Sequence, residues 1–279
     1  MWLPENIEPF SVSRPSRGET PVVVEVPHAG FSIDLESMAY TIAPLRGVGR
    51  DADLFVDRLF EEAPKHGASL LVAHVSRLVV DLNRGPDDVD GLAVEGRDAQ
   101  NLPRGLIWRT TTEGEPVLAR RLPEAELARR MRALYEPYHT TLRTLLDEKV
   151  AKFGHAILLC AHSMPSQGRR GHVDVGEGRA DIVPGTRGRT TAGSDVIDTV
   201  DAAAAEAGFS VKHDDPYKGG YSTGHYGRPG ERVHAVQVEI ARRLYMHEDE
   251  LTPIDGFSRV AQFAMDLTRR LGEVKLGQA

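Results

Sequence analysis

The chain has 279 residues, 41% of them hydrophobic and 27% charged, and carries a formal net charge of −7. That length and apolar content suffice for one large α/β core, read as a single domain over residues 1–279, and the negative charge removes any general attraction to nucleic acid or anionic lipid. The one cysteine, Cys160, lies in an apolar run, so no intramolecular disulfide and no thiolate metal site can be built, and the thiol reads as a small hydrophobe.

In chain order, the opening Met1-Trp2-Leu3-Pro4-Glu5-Asn6 lacks a basic region followed by an apolar core, and no stretch reaches membrane-spanning length. A cytoplasmic protein without a membrane partner is expected. The first strong element is Val22-Val23-Val24-Glu25-Val26, a β-branched run that reads as a parallel strand covered on both faces. The turn Pro27-His28-Ala29-Gly30 follows, so His28 falls just past the carboxyl end of a strand, the edge at which open α/β sheets bind ligands. Phe31 to Val48 shows no period and reads as loop with a short helix. From Arg50 to Phe60, apolar residues at 55, 56, 59 and 60 follow helical spacing, and Asp51 and Asp53 suit the positive end of that helix. Ser69 to Val75 reads as a strand and Arg77 to Arg84 as a second one. Gly85 to Pro116 is a Gly-, Asp- and Arg-rich excursion of the length that lids and binding loops have.

A long helix is expected from Pro123 to Lys152, with Leu127, Met131, Leu134, Tyr138, Leu142 and Leu145 on one stripe. His139 on that helix reads either as a packed histidine or as a support for a metal ligand. Ala156 to Ala161 is a second apolar strand, ending at His162 and Ser163. Met164 to Arg189 is a polar, Gly-rich loop, Ser194 to Gly208 a helix with Gly208 as its cap, and Phe209 to Lys212 a short strand. The loop from Asp214 to Gly230 is dense in Gly and Tyr and suits close approach to a small ligand. Val233 to Ile240 alternates as a strand, and Ser258 to Leu271 closes the chain as a helix.

Two strand-end histidines far apart in sequence meet only through the fold. With one carboxylate they make a three-ligand zinc site whose fourth position is open, the catalytic rather than the structural arrangement. Zinc in such a site polarises a carbonyl and lowers the pKa of bound water to about 7, and a separate carboxylate then serves as base. Glu239 is the candidate, an acid near the end of an otherwise apolar strand, where burial costs several kcal/mol unless the charge is matched. Read structurally, the same residue pairs with Arg242 or Arg243.

Five motifs in this order carry a family resemblance: Pro27-His28-Ala29-Gly30, Ser76 to Arg84, His162-Ser163-Met164, Asp215 to Tyr221, and Gln237-Val238-Glu239-Ile240 followed by Arg243-Leu244-Tyr245-Met246. Together they resemble the N-formylglutamate amidohydrolase family from about residue 20 to 270. The resemblance implies an α/β fold like that of zinc carboxypeptidases, with a mixed, mostly parallel central sheet flanked by helices. It also implies one zinc, or a similar divalent transition metal, per chain, and hydrolysis of N-formyl-L-glutamate or a similar N-acyl acidic amino acid.

By motif, His28 and His162 are the implied histidine ligands, Glu239 the catalytic carboxylate, and Asn83-Arg84 the pair that holds the substrate's free α-carboxylate. In the carboxypeptidases the carboxylate ligand follows the first histidine by three residues, and here that position is Phe31. The third ligand is therefore assigned to the acidic segment, with Asp53 preferred and Asp51, otherwise a helix cap, as the alternative. Tyr217, Lys218 and His225 are expected to supply specificity, Lys218 or His225 meeting a second carboxylate or the developing oxyanion. A zinc carboxypeptidase and a non-catalytic small-molecule binder on the same fold are the competing readings. Neither the acyl group nor the oligomeric state is readable from the residues.

Overall fold

The computed structural model describes residues 8–276, so the amino-terminal segment read above for targeting lies outside the described residues. Six strands, β1 (Phe10–Ser13), β2 (Val22–Val26), β3 (Ser69–Ala73), β4 (Ala156–Met164), β5 (Ile182–Gly185) and β6 (Val233–Ala241), form one sheet in the order β1-β3-β2-β4-β6-β5. The inner four are parallel, and β1 and β5 run antiparallel along the two edges. The sheet is thus mixed and mostly parallel, as expected. Every residue of β2, β4 and β6 is buried, which is what strands covered on both faces require and why they are near-continuous apolar runs.

The helices are α1 (Leu35–Met38), α2 (Leu45–Asp51), α3 (Val56–Leu59), α4 (Glu124–Arg130), α5 (Glu136–Phe153), α6 (Ser194–Glu206), α7 (Tyr221–Tyr226) and α8 (Phe257–Glu273), with a π-helical stretch joining α4 to α5. On one face of the sheet Val22, Val24, Val26 and Leu159 pack with Val196 and Val200 of α6 and Phe263 and Leu267 of α8. On the other, Val23, Leu158 and Cys160 pack with Leu142, Leu145 and Leu146 of α5. Each fully buried side chain of this kind is worth about 1.5–3 kcal/mol, so the two layers hold the strand ends rigidly in register. Among the described residues no helix is long and apolar enough to cross a membrane.

Several local expectations differ from the structure. Arg77 to Arg84 is a buried run of turns rather than a strand. Ser76 Oγ accepts from Leu78 N (3.2 Å) and Asp81 Oδ1 from Asn83 N (2.9 Å), and such local side-chain bonds compete with a strand ladder. The helix expected from Arg50 to Phe60 is two helices, α2 and α3, with Ala52 extended between them and Asp53 N donating to His28 O at 2.9 Å. Phe209 to Lys212 contributes only a single bridge, Val211 to Ile182.

Candidate metal centre

The parallel register of β2 and β4 sets His28 and His162 side by side, with ring centroids 4.9 Å apart. Gly30, two residues after His28, permits the tight exit from β2, because a Cβ there would lie 2.3 Å from the backbone carbonyl of His74. The break between α2 and α3 delivers the third group. Asp53 Oδ2 lies 2.9 Å from His162 Nδ1 and 3.6 Å from His28 Nδ1, and one donor atom from each of the three residues falls within 4.8 Å of the others. All three side chains are buried.

The surroundings fix each donor. His28 Nε2 is 2.8 Å from Asp81 Oδ1, so that nitrogen carries the proton and the Nδ1 lone pair faces the cluster. Among the described residues His28 Nδ1 is buried without a hydrogen-bond partner. Asp81 also accepts from Trp108 Nε1 and Arg77 Nη2, both at 3.0 Å. Burial disfavours its charge, but Arg77 and His28 outweigh that and hold it well below the usual carboxylate range. Asp53 behaves alike: burial opposes ionisation, and its hydrogen bond to His162 with the nearby His28 imidazole overcomes it. Its Oδ1 accepts from Arg242 Nη2 at 3.2 Å. A buried carboxylate kept ionised, two imidazoles and one orphaned ring nitrogen form a donor set that fits a zinc-type ion.

Asp51, the alternative ligand, is turned elsewhere. It ends α2 rather than capping a helix start, and its carboxylate accepts from Thr112 N (3.0 Å) and from Thr112 Oγ1. Glu239 is the register partner of His162 across the β4–β6 pair. Its Oε1 accepts from Gln237 Nε2 at 2.8 Å, and burial, with the Asp53 carboxylate adding to it, raises its pKa. Neither arginine considered as its structural partner reaches it: Arg242 pairs with Asp53 and Arg243 with Asp181 at 2.7 Å.

The cluster opens into a cavity of about 440 Å³ whose lining includes Asn83, Arg84, Tyr217 and Lys218. Asn83 is closer to the cluster than expected. Its Nδ2 donates to Gln237 Oε1 and sits 3.2 Å from His162 Nε2, and its Oδ1 accepts from Ser222 N at 3.0 Å. Gly220 allows this contact, since a Cβ there would come within 2.3 Å of the Asn83 amide. Tyr217 OH accepts from Arg179 Nη1 at 3.2 Å. His225 is a correction: it lies outside the cavity lining, stacked on Tyr221 at 4.7 Å, because α7 turns that face away. His139 is a packed histidine between Tyr135 and Tyr226, held down to about 4 by burial, and does not support the cluster.

The residues alone did not assign Asp81 to the site, nor Arg104, Arg169 and Arg179 on the cavity wall. Burial, together with Arg242 and Arg50, holds Arg169 down to about 10. His172 is pushed to about 4 by burial and by Arg179 and is neutral. The one available signal for Asp81 was its place in the apolar run Leu78 to Leu82, where an unmatched acid is costly.

A mixed α/β sheet that brings two histidines and two acids to one strand-end cavity walled by arginines defines the class, a hydrolase with a metal-type donor cluster. The N-formylglutamate amidohydrolase family model matches residues 20–246, and the chain belongs to that family, whose members hydrolyse an amide bond. It is 35% identical over 264 residues to the N-formylglutamate deformylase of Pseudomonas aeruginosa PAO1, covering 92% of this chain and 93% of that one. The Pseudomonas putida N-formylglutamate deformylase is 34% identical over 239 residues, with 84% and 85% covered. The crystal structure of N-formylglutamate amidohydrolase from Ralstonia eutropha JMP134 superposes with a TM-score of 0.89 at 32% identity, over 96% of this chain and 98% of that one.

Proposed function

We propose that this chain is a zinc-dependent amidohydrolase that cleaves N-formyl-L-glutamate to formate and L-glutamate. The observation that carries the reading is the buried His28, Asp53 and His162 cluster, with His28 Nδ1 left unpartnered and aimed inward by Asp81. The names of the Pseudomonas and Ralstonia relatives support the substrate. Zinc held by these three residues would supply the Lewis acidity that polarises the formyl carbonyl and acidifies a water.

The chain's own groups do the rest. Glu239, whose Oε1 is occupied by Gln237, uses Oε2 to take a proton from the attacking water and returns it to the amide nitrogen as the C–N bond breaks. Its raised pKa favours the transient stay of that proton on the carboxylate. Arg84 holds the α-carboxylate through a charge-assisted fork, which orients the formyl group toward the cluster. Asn83, its amide engaged by Gln237 and Ser222, sets the position of His162 and of α7.

The test is product analysis with zinc-loaded protein. Formate and glutamate should appear in equal amounts from N-formyl-L-glutamate. Faster cleavage of a dipeptide would move the assignment to a carboxypeptidase, and no turnover of either would leave a binding protein.

A further inference from the structure

Eight arginine and lysine side chains line the cavity against four carboxylates. Most of the cations are spoken for. Arg77 pairs with Asp81 at 3.0 Å, Arg179 with Asp174 at 2.7 Å and Arg242 with Asp53 at 3.2 Å. Arg50 and Arg169 have carboxylates at 3.6–4.0 Å. Arg84 and Arg104 differ: among the described residues neither has a carboxylate within 4.0 Å, although both are partly buried. Arg84 donates only to the backbone oxygens of Arg104 (3.1 Å) and Asn83 (3.2 Å), and Arg104 only to Gly171 O.

Two partly buried guanidinium groups facing one small cavity with no carboxylate in contact are costly, because the Asp51 charge reaches Arg104 only from beyond 4.0 Å, and that cost is relieved when an anion enters. One carboxylate matches one fork. A substrate with two carboxylates matches both, and an L-glutamyl skeleton carries two on one short chain. We infer that Arg104 binds the side-chain carboxylate of the substrate while Arg84 binds the α-carboxylate, and that this pair makes the site selective for acidic amino acids. The inference rests on the amidohydrolase reading. It replaces Lys218 in that role, because Lys218 is exposed at the rim, where an ammonium stays hydrated. Burial lowers the pKa of Arg104, and the charges of Arg84 and Arg77 add to that against the opposing pull of Asp51.

The experiment compares kcat/KM for N-formyl-L-glutamate with that for N-formyl-L-glutamine, its isostere with a neutral side chain, in wild type, R104M and K218M. A charge-assisted bond of this kind is worth roughly 10–100-fold, so R104M should lose about that factor on the glutamate compound and little on the glutamine one. A prop for the Gly171 loop alone would lower both equally and leave their ratio unchanged, which would overturn the inference. So would loss of the preference in K218M rather than in R104M. R104Q, whose amide still donates to Gly171 O, gives the same test if R104M does not fold. If wild type hydrolyses neither compound, the amidohydrolase reading fails, and calorimetry with glutarate and butyrate decides the inference separately. R104M should then weaken glutarate about 10–100-fold and butyrate little, and equal loss or no loss would refute it.

Discussion

Asp81 Oδ1 lies 2.8 Å from His28 Nε2, and both groups are buried, so the carboxylate dictates which imidazole nitrogen carries the proton and which faces the cluster. Asp81 is in turn locked by Trp108 and Arg77, which leaves His28 no other tautomer of comparable energy. Such carboxylate–histidine pairs typically tune metal affinity by 10–100-fold.

Asp81→Asn is therefore expected to weaken zinc binding by about that factor while the fold persists. A chelator-competition titration reads it directly. Unchanged affinity would reduce Asp81 to a structural partner of Arg77.

The two acids that bracket Ala52 should separate. Asp53→Ala is expected to abolish stoichiometric zinc binding, since Asp53 Oδ2 lies 2.9 Å from His162 Nδ1 and 3.6 Å from His28 Nδ1. Asp51→Ala should keep the metal and lose about 1–3 kcal/mol of stability, because the Thr112 amide and hydroxyl lose their acceptor. Elemental analysis and urea melts on both variants check the ranking, and the opposite order would hand the ligand role to Asp51.

For Glu239→Gln the expectation is full metal content with kcat lowered by roughly two to four orders of magnitude, the usual worth of a general base. Equal kcat in variant and wild type would remove Glu239 from the chemistry.

Glu25 offers a pH test at a buried acid that is not one of the three cluster residues, although the His162 charge acts on it. On β2 it is fully buried, accepts from Tyr138 OH (3.2 Å) and Ser222 Oγ (2.9 Å), and has Oε2 without a partner. Burial outweighs these bonds and raises its pKa above the ordinary 4.5. Its contribution to stability is then full below pH 4.5 and is lost as pH rises through the folded pKa. Glu25→Gln, neutral throughout, should flatten that part of the stability profile, so in urea melts the variant gains on wild type as pH rises above 4.5. A profile parallel to wild type would mean that Glu25 is ionised in the fold.

How far the molecule could be read from its residues depended on whether a feature was local. The β-branched run at Val22 to Val26 and the apolar run before His162 revealed the central strands, because strands buried on both faces tolerate little else. The edges β1 and β5 were missed: Phe10 to Ser13 is short and mostly exposed, and Ile182 to Gly185 contains Pro and Gly, which argue against a strand. Arg77 to Arg84 has strand-like composition but is governed by Ser76 and Asp81 bonding to the nearby backbone. Strand-end position singled out His28, His162 and Glu239. Nothing local distinguished Arg104, Arg169 and Arg179, which two separate stretches of irregular chain, one before α4 and one between β4 and β5, bring to one wall.

The central claim is that the three-residue cluster holds a metal on which deformylation depends. The most direct measurement strips the protein with a chelator, adds zinc back in steps, and follows bound zinc and formate release from N-formyl-L-glutamate together. The account predicts that formate release rises in proportion to bound zinc and stops rising at one ion per chain, with neither seen in His28→Ala or His162→Ala. Full formate release from the stripped protein, or a bound ion retained by His162→Ala, would contradict it.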